Sequence, residues 1–110
     1  MSFEVVVTNN FKKEAKPLAK KYRSLRTDVA QLVAILENNP AQGVALGKDC
    51  YKVRMAISSK GRGKSGGSRI ITCVKVVEQT VFLLSIYDKS EQENVSDREL
   101  DALLALAGFS

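Results

Sequence analysis

Residues 50–57 read CYKVRMAI, residues 58–69 SSKGRGKSGGSR and residues 70–77 IITCVKVV. The middle run holds four glycines and four basic residues in twelve positions, and no large apolar side chain. The flanking runs alternate as strands do, every second side chain facing one way. In residues 50–57, Tyr51, Val53, Met55 and Ile57 fall on one face and Lys52, Arg54 and Ala56 on the other, so one face is apolar and its reverse cationic. A strand over 68–77 sets Arg69, Ile71, Cys73 and Lys75 against Ile70, Thr72, Val74 and Val76, apolar on both faces as a central strand requires. A third strand over 80–87 follows the VEQT turn, with Ser85, Tyr87 and Lys89 expected on one face and Phe82, Leu84 and Ile86 on the other.

Outward from this hairpin, FEVVV is a short β-rich run, and TNN after it supplies helix caps. Phe11, Ala15, Leu18, Ala19 and Tyr22 recur at helical spacing against Lys12, Lys13, Lys16, Lys20 and Lys21, which predicts a helix over about 9–23 with a basic outer face and a kink or break at Pro17. A second helix over 27–38 takes Thr27 as its cap and Val29, Leu32, Val33 and Leu36 as its buried stripe. Residues 43–49 read as loop. SDRELDALLALAG ends the chain with a helix, Ser96 and Glu99 forming a capping box and Gly108 the stop. The order β-α-α-β-β-β-α predicts an α+β fold: a small, mainly antiparallel sheet with the two N-terminal helices on its Val53, Met55, Phe82 and Leu84 face, and the polar face left open.

Composition narrows the function. The 110 residues suit a single domain spanning 1–110, and 45% hydrophobic with 26% charged residues is the balance of a globular chain. Fourteen of the seventeen Lys and Arg lie between Lys12 and Arg69, whereas six of the twelve Asp and Glu lie between Asp88 and Asp101. One region is therefore built to meet an anion, with nucleic acid the leading candidate. The chain has no histidine, which removes the usual zinc sites and imidazole acid–base chemistry, and no metal or cofactor is expected. Cys50 and Cys73 read as buried free thiols. No apolar run approaches the roughly 18 residues of a membrane span and MSFEVVVTNN has no basic signal-peptide region, so a cytoplasmic location and no membrane partner are expected.

Gly63-Lys64-Ser65 invites a phosphate-loop reading, but that motif needs glycine where the chain has Ser58 and must join a strand to a helix. Here it joins two strands. Lys60, Arg62 and Lys64 are instead expected to bind RNA from a loop that is mobile until a partner orders it, beside Lys52, Arg54 and Arg69 on the sheet. Such a clamp suits RNA cleavage through the 2′-hydroxyl: Arg and Lys stabilise charge on the phosphate, and crowding by Arg54 and Arg69 favours a neutral Lys52 that accepts the proton. Tyr87 is a candidate auxiliary proton carrier, or simple packing.

CYKVRMA, SSKGRGKSGGSRIITCV and VFLLSIYDKSEQENVSDREL, preceded by a basic helix pair ending in NNP, resemble the RelE/ParE superfamily of bacterial toxins, nearest to its RelE/HigB-like branch with a KGKGKxGGxR loop. The resemblance implies a ribosome-dependent endonuclease that cuts mRNA in the ribosomal A site and so inhibits translation, a neutralising antitoxin partner and a hetero-oligomeric complex. The family's acting basic residues map onto Lys52, Arg54, Arg69 and Lys89. Where some RelE proteins carry a C-terminal tyrosine this chain has Val95, which leaves Tyr87 as a substitute. Two alternatives stay open: a ParE-like inhibitor of DNA gyrase, and a nucleic-acid-binding module without catalysis.

Overall fold

The computed structural model describes residues 2–109. In chain order the elements are β1 (Glu4–Val7), α1 (Asn9–Lys21), α2 (Leu25–Asn38), β2 (Val44–Gly47), β3 (Cys50–Met55), a single 3₁₀ turn (Ser58–Lys60), β4 (Ser68–Lys75), β5 (Thr80–Asp88) and α3 (Asp97–Leu106). They build one five-stranded sheet in the order β1-β5-β4-β3-β2. Every neighbouring pair is antiparallel except β1 with β5. Two helices carry the chain away from β1 before the sheet resumes, and β5, the last strand, comes back beside β1 in parallel.

Helices α1 and α2 cover one face. Phe11, Leu18, Leu25, Leu32 and Leu36 pack there against Val53, Met55, Ile57, Ile70, Val74, Val81, Leu83 and Ile86. Thr8 caps α1 by accepting from the Phe11 N–H at 3.2 Å. The helix runs unbroken through Pro17. Pro17 and Lys13, whose carbonyl the proline cannot meet, are both solvent-exposed, so water can satisfy that carbonyl. Helix α2 starts two residues before the expected cap Thr27, with Ser24 at the N-cap position. The Ser24 hydroxyl donates to Asp28 at 2.8 Å, and Asp28 also accepts from the Ser58 hydroxyl at 2.7 Å, so this corner fastens the 3₁₀ turn to α2. Burial would raise the Asp28 carboxyl, but the hydrogen bonds from Ser58 and Ser24 outweigh it and hold the group below its ordinary value.

Three expectations need correction. Residues 44–47 form a strand rather than loop, joined to β3 through Lys48 and Asp49 at φ 56° and 64°. Two consecutive left-handed residues are the geometry of a tight hairpin turn, for which Lys-Asp is an unusual pair. Phe82 and Leu84 lie on the opposite face from Val53 and Met55. Ile71 pairs with Ser85 and Thr72 with Leu83, so Leu84 is an extra residue in β5. This bulge shifts the alternation by one: Phe82, Leu84 and Tyr87 share one face, and Leu83 and Ile86 the other. Finally, the second face is not left wholly open. Helix α3 closes over part of it, packing Leu100 with Cys50, Ile71, Cys73 and Leu84, with Phe82, Leu103 and Leu104 alongside. Its start carries the full capping box between Ser96 and Glu99.

Strand β5 outruns β1 by several residues, and side chains of α1 take over where the strand stops. The last backbone bond runs from the Thr8 N–H to the Leu83 carbonyl at 3.2 Å, and beyond it Asn10 Nδ2 donates to the Leu84 carbonyl at 3.0 Å. Glu14 Oε1 accepts from the Ile86 N–H at 3.3 Å and the Ser85 hydroxyl at 2.6 Å. The free edge of β5 is thereby satisfied without another strand.

Candidate nucleic-acid interface

Strand register carries the residues of the sheet face into rows. Cys50 pairs with Cys73, Lys52 with Ile71 and Arg54 with Arg69, while Arg69 pairs in turn with Tyr87. The Cys50–Cys73 row lies under α3 with Leu100. Two residues further along β3 comes Lys52, and two further again the row Arg54–Arg69–Tyr87, which brings two cations and a phenol side by side across three strands. Residues directly opposite on adjacent strands stand within about 5.5 Å of one another. The grouping made from alternation alone is thus assembled by the fold.

The cations of this region divide into two sets. Arg54 is exposed, and among the described residues its side chain makes no hydrogen bond or ion pair; the same holds for Arg62, Lys64 and the half-buried Lys89. The others are engaged. Lys52 Nζ donates to Asn94 Oδ1 at 2.8 Å. Arg69 is only 4% exposed: its Nη1 donates to the carbonyls of Lys64 at 2.9 Å and Ser68 at 3.0 Å, and its Nη2 to that of Ser65 at 3.3 Å. Two of these bonds go to carbonyls of the glycine-rich loop, which Arg69 thereby pins over the end of the sheet.

Lys60 is not a free loop cation. Its Nζ lies 2.8 Å from Asp88 Oδ1, with the Asp88 side chain fully buried and that of Lys60 14% exposed. Asp88 also accepts from the Tyr22 hydroxyl at 2.8 Å and from the N–H and hydroxyl of Ser90 at 2.9 and 2.8 Å. Burial alone would raise this carboxyl, but Lys60, Ser90 and Tyr22 hold it far below the usual carboxylate range. The reason is topological. Asp88 follows Tyr87 at the end of β5, so it points to the opposite face, toward Tyr22 at the end of α1, and a buried carboxylate there needs a counter-charge. The 3₁₀ turn delivers Lys60 to it. The expectation that Lys60 reaches out to RNA with Arg62 and Lys64 gives way to this internal pairing.

Tyr87 is 8% exposed and its hydroxyl donates to the Glu93 carbonyl at 3.5 Å. Burial pushes the phenol above its ordinary value; Arg69 opposes that rise and Glu99 adds to it. At neutral pH Tyr87 is a neutral O–H, able to give a proton rather than to take one. Lys60, Arg62, Ser65, Gly66, Lys89 and Ser90 line a recess of about 370 Å³ where the loop meets the end of β5, so Lys89 looks toward the loop. Among the described residues no group of three or more Asp, Glu, Cys or His is placed to hold a metal ion. Nor is any helix long and apolar enough to cross a membrane.

The family model for the RelE toxin of the RelE/RelB toxin–antitoxin system matches residues 4–109. The chain belongs to this toxin family. Its fold is that of solved RelE structures. A double-arginine mutant of Escherichia coli toxin RelE in the free state superposes with a TM-score of 0.58 at 18% identity, over 84% of this chain and 90% of that one. The isolated E. coli RelE toxin gives 0.55 at 17% identity, over 94% and 98%. A RelE-family toxin is one half of a toxin–antitoxin system, so an antitoxin is its partner.

In this RelE toxin, sequence reasoning missed Asp88, Tyr22 and Asn94. Asp88 carried one local signal: an Asp whose carboxylate can accept from the N–H two residues on, the Asx turn closed here by Ser90. Tyr22 read only as a helix stripe residue, and Asn94 lies in an irregular segment where no periodicity says which way a side chain points.

Proposed function

We propose that this toxin is a metal-independent endoribonuclease that enters the ribosome and cuts mRNA in the A site, using the sheet face that carries Lys52, Arg54, Arg69 and Tyr87. The observation that supports this most is the Arg54–Arg69–Tyr87 row, with Lys52 beside it and uncommitted loop cations next to it. In-line attack of a ribose 2′-hydroxyl on its own phosphate needs a base, a group that stabilises the charge growing on the phosphate oxygens, and an acid for the departing 5′-oxygen. Lys52 is the group placed to take the 2′ proton. Arg54, exposed and unpaired, meets the phosphate, and Arg69 keeps the loop and its own remaining donors in place beside it. Tyr87 gives a proton to the 5′-oxygen. Arg62, Lys64 and Lys89 hold flanking phosphates, and ribosome and mRNA are the partners of this face. The working unit is the single RelE-like domain of residues 1–110 in the cytoplasm, silenced in a hetero-oligomeric complex with its antitoxin.

Primer extension on mRNA after brief expression tests the reading, with programmed ribosomes as the in vitro counterpart. Cuts within codons that depend on translation and vanish in Arg54→Ala are expected. Growth arrest without any cleavage would transfer the assignment to the gyrase-inhibitor alternative, and RNA affinity without either would leave a binding module.

A further inference from the structure

Cys50 and Cys73 sit directly opposite each other on β3 and β4, both free and both buried, at 1% and 0% exposure. The Val74 N–H donates to the Asp49 carbonyl at 2.8 Å, which makes Asp49–Val74 a hydrogen-bonded pair of the ladder. Such pairs alternate with non-hydrogen-bonded ones, so Cys50–Cys73 is of the second kind, whose Cα atoms approach to about 4.5 Å with side chains on the same face. Disulfides span Cα separations of about 4.4–6.8 Å. The two thiols therefore stand at the short end of bonding range without any movement of the strands. A bond made at that limit is strained, and strained disulfides are the ones most readily reduced again.

We propose that Cys50 and Cys73 form a reversible dithiol–disulfide couple, a redox modification site that staples β3 to β4 beneath α3. The loop it closes contains Lys52, Arg54, the whole basic loop and Arg69, so oxidation locks the hairpin that carries the candidate interface in its existing register.

With hydrogen peroxide as oxidant the electrons balance in two steps. The Cys73 thiolate attacks one peroxide oxygen, the O–O bond breaks, and the departing hydroxide leaves as water with a proton, giving a sulfenic acid. The Cys50 sulfur then attacks the Cys73 sulfur, the S–O bond breaks, and the hydroxyl leaves as a second water with the Cys50 proton. Two thiols and one peroxide give one disulfide and two waters. The pair is biased toward this order: contact with the Cys73 sulfur raises the Cys50 thiol, whereas Cys50 lowers Cys73, against the effect of burial and with help from Lys75. Access is set by α3, whose Leu100 packs in the same cluster. In a reducing cell a pair of this kind suits transient oxidation rather than permanent cross-linking.

The test uses the intact, fully reduced chain with a slight excess of hydrogen peroxide, quenched at intervals and read by intact mass and thiol alkylation. A monomer lacking two hydrogen atoms, with no alkylatable thiol, a Cys50–Cys73 peptide on mapping and full recovery by dithiothreitol is the expected product. Leu100→Ala should form it several-fold faster. If that variant does not fold, the parent in urea below its unfolding transition should show the same acceleration. Oxygen-adduct formation without loss of the partner thiol, disulfide-linked dimers as the main product, or two unreacted thiols even with α3 loosened would each overturn the proposal.

Discussion

Replacing Asp88 by Asn removes the charge at the centre of the only buried ion pair found among the described residues. The Asp88 side chain has no solvent exposure and accepts from Lys60, Tyr22 and twice from Ser90. Asn keeps the shape but presents one acceptor oxygen and an NH₂ that faces donors. Breaking a buried pair by removing one partner costs about 3–5 kcal/mol. Lys60 lies near the surface and can swing its ammonium into water, so the lower end, roughly 3 kcal/mol, is expected. A domain of this size has about 5–15 kcal/mol in total, and such a loss lowers the melting temperature by on the order of 10 °C or more. The pH dependence fixes the cause. Asp88 is depressed in the folded state, so its contribution is fully present above the unfolded carboxylate value near 4 and is lost as pH falls toward the folded value. Urea denaturation of parent and Asp88→Asn should therefore differ most at pH 6–7 and converge on acidification below about pH 4. A loss under about 1 kcal/mol at neutral pH, or a gap that widens in acid, would refute the assignment of Asp88 as a charged anchor.

Other substitutions separate the roles of the cations. Arg54→Ala should lower single-turnover cleavage on saturated programmed ribosomes by about 10²-fold or more with little change in affinity; an unchanged rate would remove Arg54 from the chemistry. Arg62→Ala with Lys64→Ala should reduce the slope of log affinity for single-stranded RNA against log salt by about 1.4, at roughly 0.7 per phosphate contact, and further addition of Lys60→Ala should leave that slope unchanged because Lys60 is held by Asp88. A Cβ at Gly67 would stand 2.3 Å from the Met55 carbonyl oxygen, so Gly67→Ala should cost about 2 kcal/mol or more, visible as a lower melting temperature. Ser96→Ala removes the cap of α3 and should cost about 1 kcal/mol.

The alternation in residues 50–57 and 68–75 was enough to place Lys52, Arg54 and Arg69 on one face, because β3 and β4 are regular over that span and the Val53 and Met55 face of β3 must pack against α1 and α2. Where β5 carries its bulge, the same arithmetic failed: one additional residue at Leu84 moved Phe82 and Leu84 to the other side. β2 was illegible since VALG is too short and exposed to show a pattern, and its turn uses Lys48 and Asp49 instead of glycine or asparagine. The engagement of Lys60 and Arg69 could not be read at all. Lys60 depends on contacts with segments far away in sequence, Asp88 and Tyr22; Arg69 bonds to carbonyls only one to five residues away, but in a loop whose path its glycines leave undetermined. Sequence shows which charges exist; the fold decides which of them are already engaged.

The way α1 finishes the edge of β5 bears on how the toxin behaves when crowded. Beyond Val7 the strand would otherwise expose the Leu84 carbonyl and the Ile86 N–H to any passing extended chain, including another copy of itself. Asn10 and Glu14 occupy those positions, and neither presents a backbone that could continue the ladder. The edges that remain, β1 and β2, are four residues long each, too short to template a stack. A nascent toxin accumulating before its antitoxin arrives is thereby shielded from self-association through the sheet, by two polar side chains on a helix where β5 runs on alone and by short strands elsewhere.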